Sequence, residues 1–460
     1  MARRAAEGFV AVAVVIALAG VAAVAAVPPT AAGKHGPATG RLYRSGRGTD
    51  PSIRLLAVGN RPDGRPLVVM AATFECEELE LEGSVLATVR RDGSFRAESD
   101  GFALTGGGTD EVDAEVTVRG RFRGTRAEGS IEGDAEAYDN AGTTGTCDDT
   151  VDWTAKAGSA DPDLQRIRGT VSLTSGPAVV AAAADAAYVA TAPDDVDEAR
   201  LHRIDAATHA VTWEIETGVE FSALAATADA VWAVDGTRNR VLRFDAASGE
   251  EVASIPLDAA VDEPSSFTAS IAATDTAVWV AVDDLFRIDP AGNSLVAALE
   301  LENQGGDALL AADASAAYVA LNQARGDEDT EGPPHRLLRV DPNANSVVAE
   351  VGGVGHFTAL AAGDDALWAA PFLDPLRVLD PTTLAETGTV DVEAAALAAA
   401  PPGAWVLTER AVAAYDPADA GDSTTRIPLL GGDFGSIAAS GDAVCVWDPR
   451  LGTLTRIAAG

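Results

Sequence analysis

FTALAAGDDALWAA, Phe357–Ala370, sets two alanines, Ala361 and Ala362, ahead of a short acidic turn and Trp368. FSALAATADAVWAV, from Phe221, and FGSIAASGDAVCVW, from Phe434, repeat its layout. With the aromatic as anchor, the phrase recurs at Tyr188, Trp232, Trp279, Tyr318, Trp368 and Trp405, and Cys445 takes the same place in a seventh copy. All seven copies carry Ala-Ala six and seven residues before the anchor. One residue earlier stands a branched aliphatic: Val180, Leu224, Ile271, Leu310, Leu360, Leu397 or Ile437.

A second phrase follows each of the first six anchors, as in LHRIDAAT, VLRFDAAS and LFRIDPAG. Its aspartate (205, 245, 289, 341, 380, 416) opens a turn in which a carboxylate can bond nearby backbone amides. A further short extended run comes next. Four short strands in roughly 40 residues define a β-propeller blade. Alanine suits the crowded innermost strands, and the aliphatic and aromatic positions fill the space between blades.

After TLTRIAAG the seventh copy has no fourth strand, whereas RIRGTVSLT (166–174) is a surplus strand ahead of the first copy. The surplus strand is expected to complete the last blade and close the ring, leaving no open edge. The expectation is a seven-bladed propeller over residues 164–460; six blades with a frayed end is the alternative. The repeats, such as AVWVAVDDLFRIDPAGNSLVAALEL, resemble the bacterial propeller group of virginiamycin B lyase and the YVTN-type surface proteins. That resemblance implies the fold strongly and a function weakly, because many chemistries and many scaffolds share it.

Residues 40–157 read as a separate antiparallel β-domain, a small sandwich or barrel, so the fold class is all-β. Turns at Arg61–Gly64 and Asp92-Gly93 separate extended runs and predict hairpins. VTVRGRFRGTRAEGSIEGDAEA alternates small or apolar with charged residues, as a half-buried strand pair does. Cys76 and Cys147 lie within this domain and are expected to form a disulfide if the chain is exported. YRSGRG, RDGSFRAES, RGRFRGTRAEGSIEG and TCDDTVDWTAK resemble a small secreted bacterial β-domain, a likeness that implies no firm function. A polar linker, 158–163, predicts some freedom between the two domains.

Residues 1–34 predict a signal peptide or an N-terminal membrane anchor. Arg3 and Arg4 precede an apolar run from Gly8 to Val27, which is also long enough to span a bilayer. The remainder is expected to be extracellular or in the cell envelope. No cysteine follows the run, which excludes a bacterial lipid anchor. The formal net charge of −37 opposes nucleic acid as a partner. A protein, peptide or glycan partner, and a monomeric state, are expected.

Twelve residues before each anchor, the loop entering the innermost strand reaches one mouth of the channel. Glu220, His356, Glu393 and Asp433 occupy that position and form the candidate ligand site. No cofactor is required by any motif; a divalent cation, Mg²⁺ or Ca²⁺, could bind such a ring. In the lyase family a mouth histidine acts as base and acids hold magnesium, which His356 and Glu393 match by position alone. The acidic insert Asn322–His335 should overhang the same mouth. His202 and His209 fall in an outer hairpin of the first blade. Cys445 replaces a buried aromatic and is expected to be an inert core thiol. No Walker loop, His-Glu-x-x-His or G-x-S-x-G motif is present. The leading expectation is a non-catalytic binding protein, the alternative a metal-dependent lyase- or hydrolase-type enzyme.

Overall fold

The computed structural model describes residues 36–459 apart from 39, 47–49, 62–63, 78, 100–101, 105–110, 140–141, 193–197, 258–268, 283, 302–306, 323–334, 364, 409, 419–422 and 430–434. The leader pattern of residues 1–34 therefore lies outside the described residues. Among those described, no helix is long and apolar enough to cross a membrane.

Nine strands come first: β1 (Leu42–Arg44), β2 (Ser52–Asn60), β3 (Pro66–Cys76), β4 (Leu79–Thr88), β5 (Ser94–Ser99), β6 (Ala103–Leu104), β7 (Glu111–Arg123), β8 (Arg126–Asp139) and β9 (Gly142–Ala157). They form one antiparallel sheet in the order β5-β7-β8-β9-β1-β2-β3-β4-β6. The alternation read in 116–137 is realised by the β7–β8 ladder, which points Val116, Val118 and Phe122 inward. The turn at Asp92-Gly93 exists, with Arg90 N–H donating to Ser94 O, but it does not make the expected hairpin. β5 pairs with β7 and lies at the edge opposite β4. The tight turn therefore draws the two ends of the sheet together and curls it around a single core of Tyr43, Phe74, Phe95, Phe122 and Trp153. Cys76 and Cys147 are disulfide-bonded within that core.

The remaining strands form seven four-stranded antiparallel sheets. Blade 1 begins with innermost strand Ala178–Ala182, blade 2 with Ala223–Ala226, and blade 3 with Ser270–Ala273. Blade 4 begins with Asp307–Ala312, blade 5 with Phe357–Ala362, blade 6 with Ala396–Ala400 and blade 7 with Ile437–Ser440. Each innermost strand neighbours the next, and the first neighbours the last, so the ring is closed. The surplus strand β10 (Ile167–Ser172) pairs antiparallel with Thr453–Ala458 and completes blade 7. Anchors Tyr188, Trp232, Trp279, Tyr318, Trp368, Trp405 and Cys445 are all buried. They pack between sheets: Tyr188 and Leu201 of blade 1, for example, share a cluster with Leu224, Val231 and Phe244 of blade 2. Burial pushes the Cys445 thiol up to about 11, as expected of an inert core cysteine.

The outer hairpins repeat in detail. Asp205, Asp245, Asp341 and Asp380 each accept from the amides two and three residues ahead, and those bonds hold the carboxyls below their ordinary range. Four residues after each of these aspartates and after Asp289, the backbone is left-handed, at His209, Gly249, Asn293, Asn345 and Leu384. An arginine on the third strand lies opposite the anchor: Arg203 across from Tyr188, Arg243 from Trp232, Arg287 from Trp279, Arg339 from Tyr318. Arg243 and Arg287 stack over their indoles at 5.1 and 5.8 Å. They then reach the next blade: Arg243 donates to Pro290 O and Asn293 Oδ1, Arg287 to Asn345 Oδ1, and Arg456 of blade 7 to Ala206 O of blade 1. The ring is thus clasped by polar bonds as well as by apolar packing.

The sheet of β1–β9 packs directly against the propeller. Leu56, Val58, Leu67 and Val69 on the outer face of β2 and β3 share one apolar cluster with Trp405, Val412, Ile427 and Ile457 of blades 6 and 7. Thr170 Oγ1 donates to Val58 O at 2.6 Å, and Arg426 N–H to Asp163 Oδ2 at 2.9 Å. A Cβ on Gly59, at φ +139°, would stand only 3.0 Å from the Cα of Gly169 and the N of Thr170, so the two backbones approach closely. The first domain covers β10, the outer edge of the closing blade. Linker composition could not reveal this, because the joint is built from residues far from the linker in sequence.

One buried histidine, His202, and one half-buried, His209, are expected to make the ring joint sensitive to acid. His209 packs on Gly169 of β10, and burial with the nearby Arg456 lowers its pKa. His202, 4 % exposed, is lowered chiefly by burial, with Glu214 opposing. A depressed folded pKa means that the unfolded chain binds protons first. Their contribution is complete above the unfolded value, about 6.5. It falls as pH drops toward the folded values, with a limiting slope of about 1.4 kcal/mol per pH unit for each. The thermal midpoint should therefore drop from pH 7.5 to 5.5, and less steeply in His209→Asn, whose side chain tolerates the left-handed backbone. Identical pH profiles for the two proteins would contradict this.

Candidate functional site

The loops entering the innermost strands lie on the same side as those joining second to third strands. Glu220 is exposed in the loop entering blade 2. His356 and Glu393 are exposed in the loops entering blades 5 and 6. Asp433 lies outside the described residues, as does most of the acidic insert, 323–334.

The structure gathers a compact group around His356. The outermost strand of blade 4 ends at Gly352, and Gly353 and Gly355 (φ +72° and +84°) swing the chain inward toward blade 5. Neither turn position suits a residue with a Cβ. Asn322, 3 % exposed at the end of the second strand of blade 4, then seizes Phe357 on both sides. Its Nδ2 donates to Phe357 O at 2.6 Å, and its Oδ1 accepts from Phe357 N–H at 2.8 Å. The His356 carbonyl accepts from Phe372 N–H at 2.7 Å. The backbone of His356 is thereby fixed from two blades.

His335, at the other end of the insert, is held through its carbonyl by Gly353 N–H at 2.9 Å. Its ring lies edge-to-face with that of His356, centres 5.6 Å apart and planes at 88°. Burial and the neighbouring His356 lower the pKa of His335. Phe372 stands on the other side of His356, with ring centres 6.2 Å apart. The loop of Glu393 is tied to the innermost strand of blade 5 by Thr358 Oγ1, which donates to Ala394 O at 3.2 Å. The two histidines are brought together across blades 4 and 5. Glu220 stands in blade 2, three blades before the loop of His356.

Phe372 and Leu373 are 55 % and 69 % exposed, the highest values among the described large apolar residues. Leu373 also has a left-handed backbone, φ +60°. PFLD, Pro371–Asp374, breaks the repeat by placing two bulky apolar residues at a turn, a signal that was available in the sequence. Asn322 gave no such signal, since its role depends on a backbone 35 residues away.

Among the described residues, no group of three or more His, Cys, Asp or Glu is placed to hold a metal. A shallow concavity of about 780 Å³ on the first domain is lined by Arg90, Arg96, Arg119, Arg121 and Arg123. Four of these are paired, with Glu98, Glu132, Asp92 and Glu128, so the groove is a solvated charge ladder.

No family model and no curated protein matches the chain. Solved structures are similar to it in fold. The WD40 domain of Neurospora crassa Pan2 aligns at 13 % identity and TM-score 0.45, over 62 % of this chain and 89 % of that one. U3-55K aligns at 11 % and 0.48, over 63 % and 98 %. BamB from Moraxella catarrhalis aligns at 12 % and 0.40, over 73 % and 94 %.

Proposed function

We propose that this chain is an exported, non-catalytic binding protein whose rigid propeller presents a partner surface at the mouth over blades 4 to 6. The exposure of Phe372 and Leu373 beside His356 carries the reading. Adjacent bulky apolar side chains on a rigid rim, in a chain of net charge −37, suit a protein or peptide with apolar and basic residues. Export rests on the leader pattern of residues 1–34 and fits the buried disulfide, which persists in oxidising compartments. The resemblance to the virginiamycin B lyase and YVTN groups belongs to the same proposal.

A photo-crosslinking residue at position 373 should yield one discrete adduct with an envelope or secreted component. The same probe at Val252, exposed on the outermost strand of blade 2, should yield none. Equal adducts at both positions, or none at either, would sink the proposal.

The pairing of His335 with His356 favours one second reading, a metal-dependent lyase- or hydrolase-type enzyme. Calorimetric titration of Mg²⁺ and Ca²⁺ separates the two. Binding that disappears in a His356→Ala, Glu393→Ala double variant supports the enzyme, and silence in both proteins supports the scaffold.

A further inference from the structure

We propose that the first domain binds an acidic polysaccharide, a chain of carboxylated sugar rings, along a row of basic side chains that crosses five strands of its sheet. The row is separate from the propeller mouth, and it stands whether or not a partner docks on Phe372 and Leu373.

Strand register builds the row. Arg123 of β7 lies directly across from Arg126 of β8, Arg126 from Lys156 of β9, Lys156 from Arg44 of β1, and Arg44 from Arg54 of β2. Residues opposed in this way share a face of the sheet. Their chain neighbours Phe122, Ala127, Ala155, Tyr43 and Leu55 are buried in the core, so the five basic side chains point outward, and all five are exposed. Neighbouring strands are about 4.8 Å apart, so the charges stand in single file over roughly 19 Å.

This arrangement works against the fold, because like charges directly opposed destabilise a sheet. Composition does not explain it either: the chain has 33 Lys and Arg against 70 Asp and Glu. Arg123 is ion-paired with Glu128, whereas among the described residues Arg126, Lys156, Arg44 and Arg54 form no ion pair. Burial and the nearby Arg44 and Arg410 lower the pKa of Arg54, with Glu82 opposing. Arg410 belongs to the turn between the second and third strands of blade 6, so the propeller adds a further guanidinium at the β2 end of the row. A bound polyanion would offset the repulsion along the whole row.

The geometry selects among polyanions. An extended acidic peptide presents like-facing side chains about 6.7 Å apart, out of step with rungs about 4.8 Å apart. A bilayer cannot lie flat on the row, because the propeller packs on the same face of the sheet at Leu56, Val69 and Ala71. Duplex DNA, with one charge per about 1.7 Å, is repelled by the net charge of −37 more strongly than a sparsely charged glycan. A chain of uronate rings spaces its carboxylates one ring apart, and guanidinium groups take carboxylates in planar, two-bond geometry.

Polygalacturonate, with one carboxylate per ring, is the probe. The full chain should bind it on an interferometry surface, more weakly as NaCl is added, and should not bind neutral dextran. The triple variant Arg44→Gln, Arg126→Gln, Lys156→Gln should weaken binding at least about tenfold. Arg96→Gln, Arg119→Gln, Arg121→Gln removes the same charge from ion-paired arginines of the same domain and should change binding less than about threefold. The thermal midpoint of the first triple variant should be unchanged or higher, because opposed like charges are relieved. Absence of binding by the wild type, or equal losses in the two triple variants, would overturn the proposal. Tighter binding to polyglutamate or to phosphatidylglycerol vesicles than to polygalacturonate would also overturn it, by making the row a peptide or membrane contact. These substitutions leave the propeller mouth intact, so crosslinking at position 373 tests the proposed function separately.

Discussion

Trp232→Ala should destabilise the propeller by about 3–5 kcal/mol, measured as a shift of the chemical denaturation midpoint. Its indole is fully buried in a cluster shared by blades 2 and 3, with Val241, Ile271, Val278 and Phe286. Truncation opens a cavity between two sheets that cannot close, since each is held by its own ladder. It also removes the surface over which Arg243 stacks on its way to Pro290 O and Asn293 of the next blade. The loss is large against the total stability of an ordinary domain, about 5–15 kcal/mol. Cys445→Ala, at the equivalent place in blade 7, removes a single sulfur and should cost far less. Equal effects of the two substitutions would mean that the anchor position does not carry the packing assigned to it.

Removing the disulfide is the second large effect. Cys76 and Cys147 are 71 residues apart and both fully buried. Closing a loop of that length stabilises by about 4 kcal/mol in the chain-entropy model. The Cys76→Ala, Cys147→Ala double variant should lose about that much, chiefly in the unfolding of the first domain. The apolar joint at Leu56, Val58 and Val69 should pass a smaller part of the loss to blades 6 and 7. An unchanged midpoint would show that the curled sheet holds without the bridge.

The propeller was legible because its determinants are local and repeated. Ala-Ala, the branched aliphatic, the anchor and the turn aspartate each answer a demand that recurs in every blade. The left-handed position four residues after Asp205, Asp245, Asp289, Asp341 and Asp380 was equally open to view, since Gly, Asn and His are common there. The arginine opposite the anchors of blades 1 to 4 was also repeated in plain sight; only its reach into the next blade needed coordinates. The Asp92-Gly93 turn shows the limit of local reading. Its chemistry fixes a tight turn, but which strands pair beyond it depends on how the whole sheet curls.

The mouth divides the same way. Position within the repeat placed His356 and Glu393 on the rim, and strand topology placed the end of the acidic insert on the same side. That His335 meets His356 ring to ring, with Phe372 behind, follows from Asn322 holding Phe357 and from the path taken by Gly353 and Gly355. The covered edge of β10 likewise depends on Gly59 meeting Gly169, 110 positions apart in the chain. Sequence alone determined the strands, the blade count, the ring closure and the disulfide pair, because each rests on short-range periodicity or on the scarcity of partners. Tertiary structure decided the domain joint, the inter-blade arginine clasps and the histidine pair, because those are contacts between unrelated segments that no periodicity encodes.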